Sequence, residues 1–267
     1  MLERERHRMI LKLLGERSII SVTELVELLG ASEASIRRDI NALGERGEIK
    51  RVRGGAESLN PRFEAHLAGV PFALNQQVSG AQKRAIAREA TKLIAPTDSI
   101  IVAGGTTTHA LIEFLAAYEI DILTNSFNIA AQLLASSRCR ITLPGGTIFR
   151  EQSLVLSPFV DNTIKNFRAT KMFTGCHGIN RFGIMQLDPL IVHSETELLE
   201  RAEQIIVLAD SRKLRQQSAM IVAPLTRVHT LITDSDAFAQ DLEPLRAAGV
   251  NIIIAVADEQ DRMREAS

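Results

Sequence analysis

Ser35, Arg37, Arg38 and Asn41 crowd into one short stretch, and Lys50, Arg51 and Arg53 follow closely. Guanidinium and amide groups make paired hydrogen bonds to base edges, and lysines and arginines neutralise phosphates, so the chemistry on offer is recognition of double-stranded DNA. The positive potential is local. Residues 37–53 hold six Lys/Arg against three Asp/Glu, in a chain whose formal net charge is −1, which excludes a generally basic polyanion binder. A second set of residues suits a small anion. Gly104, Gly105, Thr106 and Thr107 follow the apolar run 99–103. There, glycines let backbone come close while N–H groups opening a helix and threonine hydroxyls donate to an anion. Lys213, after another apolar run, adds a point charge, and Asn125 and the pair Gly145 and Gly146 end two further runs where they can donate to a sugar. No loop carries a nucleotide fingerprint, neither G-x-G-x-x-G after a strand nor G-x-x-x-x-G-K-[ST].

The elements that must position these groups are legible in the periodicity. Leu25, Val26, Leu28 and Leu29 recur at helical spacing over residues 23–29, and Gly30 supplies a left-handed C-cap. Ser32 caps the next helix. Ile36, Ile40 and Leu43 fall on one stripe at about 100° per residue, leaving Ala34, Ser35, Arg37, Arg38 and Asn41 on the opposite face. In the segment 47–56, Ile49 and Val52 alternate with Lys50, Arg51 and Arg53 before Gly54 and Gly55, the pattern of a short β-wing. Residues 1–57 therefore read as a winged helix-turn-helix. Residues 58–82 lose periodicity and read as a linker. From Lys83 the pattern becomes α/β: a helix to about Leu93, strands at 99–103, 120–124, 139–144, 170–174, 204–209, 228–232 and 250–257, and helices near 107–117, 127–135, 194–203 and 238–247. Short continuous apolar strands between helices imply a mostly parallel, Rossmann-like sheet covered on both faces, with ligands at the carboxyl ends of its strands.

At 267 residues the chain accommodates a small domain and a larger one, and with 45% apolar residues, 4% aromatics and no Trp its core must be aliphatic. No apolar run approaches the ~18–20 residues that span a bilayer, and residues 1–9 mix acids with bases, so a cytoplasmic location is expected. Cys139 and Cys176 lack metal-ligand spacing and read as core thiols. No metal or cofactor is expected.

Residues 1–60 resemble the DNA-binding domain of the DeoR/GlpR family of bacterial repressors, in the runs Ile36-Arg37-Arg38-Asp39-Ile40 and Arg51-Val52-Arg53-Gly54-Gly55-Ala56. Arg53 stands where the family commonly has His. The resemblance implies a first helix beginning near Arg6, packed through Ile10, Leu13 and Leu14. The remainder resembles the family's sensor domain, similar in fold to ribose-5-phosphate isomerase and typically a binder of a phosphorylated sugar or polyol. It does so in Lys83 before Ile86-Ala87, Gly105-Thr106-Thr107, Thr124-Asn125-Ser126, Gly145-Gly146 and Asp210-Ser211-x-Lys213. By that resemblance Gly105, Thr106 and Thr107 hold a phosphate, Asn125 and Gly146 border the sugar, and Lys213 adds charge. Where the family usually reads Gly-x-Asp-Gly, this chain reads Gly175-Cys176-His177-Gly178. His177 is then either a reader of hydroxyl or phosphate, with pH-sensitive binding, or a structural histidine at a strand end. His109 and His193 read as helix-surface residues. The run 153–158 resembles the branch of the family that senses ascorbate phosphate.

The function implied is a repressor of a sugar-catabolism operon, controlled by a phosphorylated sugar and acting on a DNA operator as a homo-oligomer, dimer or tetramer. The alternative is a sugar-phosphate isomerase with an added DNA-binding head. That chemistry needs a carboxylate base, and isomerases of the similar fold carry an Asp-Gly-Ala-Asp loop and then a Lys-Gly-Gly-Gly loop. Here the matching stretches read His177-Gly178-Ile179-Asn180 and Gly183-Ile184-Met185-Gln186, with Asp188, Glu195 and Glu197 nearby, so a non-enzymatic role is expected.

Overall fold

A computed structural model describes residues 2–17, 19–52, 54–59, 71–157, 159 and 162–261. Arg53 and Pro158, both singled out above, lie outside the described residues. The chain forms two compact units, Met1–His66 and Leu67–Ser267.

The first unit runs α1 (Glu3–Arg17), β1 (Ile19–Ser21), α2 (Val22–Leu29), α3 (Glu33–Glu45), β2 (Ile49–Val52) and β3 (Gly55–Ser58). A reciprocal capping box starts α2: Ser21 Oγ accepts from the Glu24 N–H at 3.2 Å, and the Glu24 carboxylate accepts from the Ser21 N–H at 2.9 Å. Gly30, at φ 58°, ends it, and Ser32 Oγ accepts from the Ser35 N–H to start α3. Ile36, Ile40 and Leu43 are buried with Ile10, Leu13, Leu14, Leu25 and Leu29, so the apolar stripe is the seam of three helices. The strands pair in the order β1-β3-β2. A side chain at Gly55 would run into the Ile20 carbonyl oxygen, so the second glycine of the turn is fixed by the close approach of β1. The strand β1 was not foreseen; three residues are too few for alternation to register.

Asp39, next to Arg37 and Arg38 in the chain, points inward and is 3% exposed. Its carboxylate accepts from Arg6 Nε at 2.7 Å, Arg6 Nη2 at 3.2 Å and His7 Nε2 at 3.1 Å, while His7 Nδ1 accepts from Arg46 at 2.9 Å. These partners assign the tautomer with hydrogen on Nε2. One acid thus ties α1 to the middle of α3, and Arg46 ties it to that helix's end.

The second unit runs α4 (Phe72–Gln77), α5 (Gly80–Thr91), β4 (Ser99–Val102), α6 (Thr106–His109), α7 (Ile112–Leu115), β5 (Asp121–Leu123), α8 (Phe127–Ser136), β6 (Arg140–Thr142), β7 (Thr147–Phe149), β8 (Leu154–Leu156) and α9 (Asn162–Asn166). It continues through β9 (Ala169–Thr174), β10 (Gly178–Asn180), β11 (Gly183–Gln186), α10 (Pro189–Leu199), β12 (Ala202–Leu208), β13 (Met220–Ala223), β14 (Thr230–Asp234), α11 (Ala239–Ala247) and β15 (Asn251–Ala255). Seven strands form one parallel sheet in the order β15-β14-β12-β9-β4-β5-β6. Alternate residues serve opposite faces. Ile101, Met172, Val207 and Leu231 pack with Leu198 of α10 and Leu242 and Leu245 of α11. Ile100, Val102, Phe173, Ile206 and Ile232 pack with Ile86 of α5, Leu115 of α7 and Leu133 of α8. A sheet covered on both faces buries the middle of its strands on either side, which accounts for the continuous apolar runs, with the buried polar residues Thr174, Thr233 and Asp234 at the strands' carboxyl ends.

Several boundaries differ from expectation. The stretch 58–82, read as a linker, already contains α4 and the start of α5. No periodicity marks α4 because it is a six-residue helix held from outside: the Phe72 N–H donates to the Glu151 carbonyl, and buried Lys83 donates to the Asn75 carbonyl. The helix expected near 107–117 is broken into α6 and α7. That expected at 194–203 begins instead at Pro189, where Asp188 caps it by accepting from the Leu190 N–H at 2.9 Å. The hairpin β7-β8 and the antiparallel sheet β10-β11-β13 were missed, being strands of three or four residues.

Candidate functional site

On the first unit, the outer face of α3 presents exposed Arg37, Arg38 and Asn41, with Ser35 half-buried beside them. Their present partners matter. Ser35 Oγ bonds Ser32 Oγ at 2.9 Å, and Arg37 pairs with exposed Glu33 one turn back at 2.7 Å, an exposed pair of the kind that exchanges cheaply. Arg38 makes no ion pair with any described residue. Arg51 reaches from β2 across α3: its stem lies over Gly44, where a Cβ would sit 2.8 Å from it, and its guanidinium donates to Asn41 Oδ1 at 3.3 Å. Lys50 pairs across the strands with Glu57 at 3.0 Å. The helix face and the wing strand β2 therefore form one continuous polar, basic surface.

On the second unit, the sheet order creates a crevice. From β4 the chain steps outward through β5 and β6, and it then returns to β9 on β4's other side and steps outward through β12, β14 and β15. The loops after β4 and β9 consequently diverge, and ligands bind outside strand ends at such a switch point. A cavity of about 350 Å³ lies there, within the size range of small-molecule sites. The loop after β4 contributes Gly104, Gly105, Thr106 and Thr107, the loop after β9 contributes Gly175, Cys176 and His177, and the segment after β12 contributes Arg212 and Lys213. Phe72 and Asn75 of α4, Gln152, Leu154, Gln186, and Ile191 and Glu195 of α10 complete the wall with others.

Gly104 is fixed by contact: any side chain there would collide with Leu154 of β8. Its N–H donates to Asn125 Oδ1 at 2.8 Å, and Asn125 Nδ2 donates to Ser194 Oγ at 3.2 Å. Asn125 is thus 1% exposed and stands behind the cavity, holding the 104–105 turn against α10, where sequence reading put it beside the sugar. Gly145 and Gly146 are exposed and do not line the cavity, since β6 lies two strands from β4 and the β7-β8 hairpin intervenes in the chain. Strand order, absent from the sequence, separates what looked like equivalent loops. The helix after Gly105 is one short turn, so the donors there are individual N–H and Thr hydroxyl groups rather than a helix dipole.

Burial, reinforced by Lys213, lowers the pKa of His177, which therefore stands neutral at the cavity wall. The Cys176 thiol borders the cavity and is not merely a core group; burial pushes it up to about 12 despite Lys213, with Glu195 and Asp210 adding to the rise. Lys213 Nζ is 3.0 Å from Gln216 Oε1, and Arg212 is engaged by Asp210 at 2.8 and 3.0 Å. Among the lining residues given no effector role from sequence are Gln152, which was not singled out, and Glu195, which was named only as an acid near the isomerase-like loops. Gln152 has a side-chain amide with no hydrogen-bond partner at either end among the described residues. Glu195 is the sole carboxylate among the described lining residues, is 2% exposed, and burial pushes it up to about 8 against the hydrogen bond it accepts from Gln186. The signal for Glu195 was available: with Ile191, Leu198 and Leu199 it falls on the inward stripe of α10.

Comparison with known proteins bears on both units. The model of the DeoR-like helix-turn-helix domain matches residues 6–62, and that of the DeoR C terminal sensor domain matches residues 79–235. The HTH-type transcriptional regulator UlaR of Shigella flexneri is 32% identical over 257 residues, 95% of this chain and 99% of its own. UlaR of Escherichia coli O139:H28 is 31% identical over the same length and shares. Among solved structures, ribose 5 phosphate isomerase A from Neisseria gonorrhoeae is similar over 49% of this chain and 52% of its own, with 15% identity and a TM-score of 0.38, a likeness too distant to argue function. Among the described residues no helix is long and apolar enough to cross a membrane. With both domain models matched in order and relatives aligned along almost its whole length, the chain belongs to the DeoR family of DNA-binding transcriptional regulators.

Proposed function

We propose that this regulator is a repressor of a sugar-catabolism operon whose effector is a phosphorylated sugar or polyol bound in the switch-point cavity. The observation that carries the reading is the cavity's two-ended chemistry. Backbone N–H groups and hydroxyls of residues 105–107 share one cavity with the cationic Lys213, suiting a phosphate, and the Gln152 amide, unpaired among the described residues, suits hydroxyl groups. Leu154, within the run that resembles the ascorbate-phosphate branch, forms part of the wall, so ascorbate phosphate belongs in any ligand panel. On the DNA side, Ser35, Arg37, Arg38 and Asn41 read bases, while Lys50, Arg51 and Arg53 meet phosphates. Two heads on a homo-oligomer, dimer or tetramer, engage repeated half-sites. The cavity wall α4 directly follows, in sequence, the segment joining the units, which gives ligand occupancy a covalent route toward the head.

The test is a thermal-shift screen of sugar phosphates and their dephosphorylated counterparts. A true effector at 100 times its Kd adds about 2.7 kcal/mol to stability. Thr107→Ala or Lys213→Ala should weaken that ligand roughly tenfold or more by removing a charge-assisted contact, yet leave DNA binding unchanged, giving a regulator that no longer responds. Equal shifts for phosphorylated and unphosphorylated ligands would move the site elsewhere, and turnover of any sugar phosphate by the purified protein would favour the isomerase reading.

The DNA face makes its own prediction. Arg38→Ala should lose about 1–3 kcal/mol of discrimination between operator and random DNA at fixed salt, because Arg38 lies opposite the buried stripe and supports no packing. Arg51→Ala should instead weaken binding to all sequences and reduce the salt slope by about one. Unchanged discrimination in Arg38→Ala, read by gel shift, would contradict the assignment.

A further inference from the structure

Glu195 presents an anomaly for a cavity that takes an anion. It is a carboxyl on the wall, almost fully buried, and its two oxygens are in different situations: Oε1 accepts from Gln186 Nε2 at 2.8 Å, while Oε2 has no hydrogen-bond partner among the described residues. A buried polar atom without a partner is costly and is rare in folded proteins unless something else fills the position. Among the described residues no cation pairs with Glu195, since Lys213 is bound to Gln216 and Arg212 to Asp210. The other titratable groups facing the cavity, Cys176 and His177, are neutral. His193 and Glu197, on the same helix, face each other at 3.9 Å and do not line it.

We propose that Glu195 is a further recognition residue of this cavity: carrying its proton on Oε2, it donates a hydrogen bond to an oxygen of the phosphorylated polyol, and the anion is taken up only while the carboxyl is neutral. The proposal rests on the reading of the cavity as a site for a phosphorylated polyol. The proton belongs on Oε2 because Oε1 already accepts a bond, and a protonated carboxyl offers a donor to any sugar hydroxyl, carbonyl or ring oxygen. Two negative charges in one buried cavity repel, so a bound phosphate strengthens the carboxyl's hold on its proton. Ligand binding and proton binding are therefore linked. With the carboxyl in the free protein pushed up to about 8, the linkage falls just above neutrality.

The experiment is calorimetric titration of the full-length protein with inorganic phosphate and with D-ribose 5-phosphate between pH 7 and 9.5. Wild type should hold a steady Kd to about pH 8 and then weaken about tenfold per pH unit for both probes. At pH 8.5, titrations in two buffers of different ionisation enthalpy should show uptake of most of one proton on binding. Glu195→Gln keeps a donor without a titrating group, so its Kd should stay flat and its proton uptake vanish. Glu195→Met should also be flat, but it should bind D-ribose 5-phosphate several-fold more weakly than Glu195→Gln does while matching it for inorganic phosphate. Coincident pH profiles for wild type and Glu195→Gln, or no proton uptake by wild type, would overturn the role of Glu195 and leave the anion site standing. Failure of both probes to bind wild type at any pH would overturn the anion site itself.

Discussion

Asp39→Ala should melt the DNA-binding unit while leaving the sensor unit folded. The carboxylate is buried and accepts three hydrogen bonds from Arg6 and His7, so its removal strands those donors in the seam between α1 and α3. Losing such a buried, charge-assisted set costs about 2–4 kcal/mol, a large fraction of the stability of a unit this small. Differential scanning calorimetry of the full chain should show the head's transition about 10 °C lower or absent, with the sensor transition unmoved. DNA binding should be lost with it, to operator and random DNA alike. That pattern separates Asp39 from Arg38, whose replacement should leave the fold intact and weaken discrimination. An unchanged head transition in Asp39→Ala would show that the acid faces DNA instead.

Glu195→Gln should stabilise the sensor unit, and the gain should depend on pH. The carboxyl ionises near 4.5 when unfolded, and in the folded unit burial pushes it up to about 8, so the native state holds the proton longer. Stability from the neutral carboxyl is complete below pH 4.5 and drains away as pH rises to 8, a loss on the order of 3–5 kcal/mol by linkage. Glutamine has the same shape, can still accept the Gln186 bond through its carbonyl, and never ionises. Near pH 5 the two proteins should melt together. At pH 8.5 the variant should melt about 10 °C higher. An equal difference at both pH values would mean that Glu195 does not hold its proton in the folded protein.

Both residues show where sequence reading stops. The winged helix was legible because periodicity, caps and turn glycines all sit within one unit of local sequence. Asp39 falls on the same side of α3 as Ile36, Ile40 and Leu43, so its inward position followed from spacing alone, whereas its partners Arg6 and His7 lie more than thirty residues away and left no local mark. In the sensor unit the loops after apolar strands were found, and Gly104 to Thr107, His177 and Lys213 do line one cavity. Asn125, Gly145 and Gly146 do not, because the chain reverses its direction of travel between β4 and β9, and nothing local records that reversal. Glu195 was named as a nearby acid and its inward place on α10 was legible, but its role, like that of Gln152, was not, because it lies in an unsatisfied atom and satisfaction is a property of neighbours distant in sequence.

Under the proposed function, occupancy of the sensor cavity by a phosphorylated polyol controls the DNA-binding face. Its most direct test takes DNA selected by the protein from a random library and measures binding by fluorescence anisotropy at fixed salt, with and without each sugar phosphate. At least one phosphorylated ligand, and not its dephosphorylated counterpart, should shift the Kd for the selected DNA about tenfold or more in wild type, while Lys213→Ala should bind the same DNA as tightly and not respond. A Kd indifferent to every phosphorylated ligand, or a response retained in full by Lys213→Ala, would contradict it.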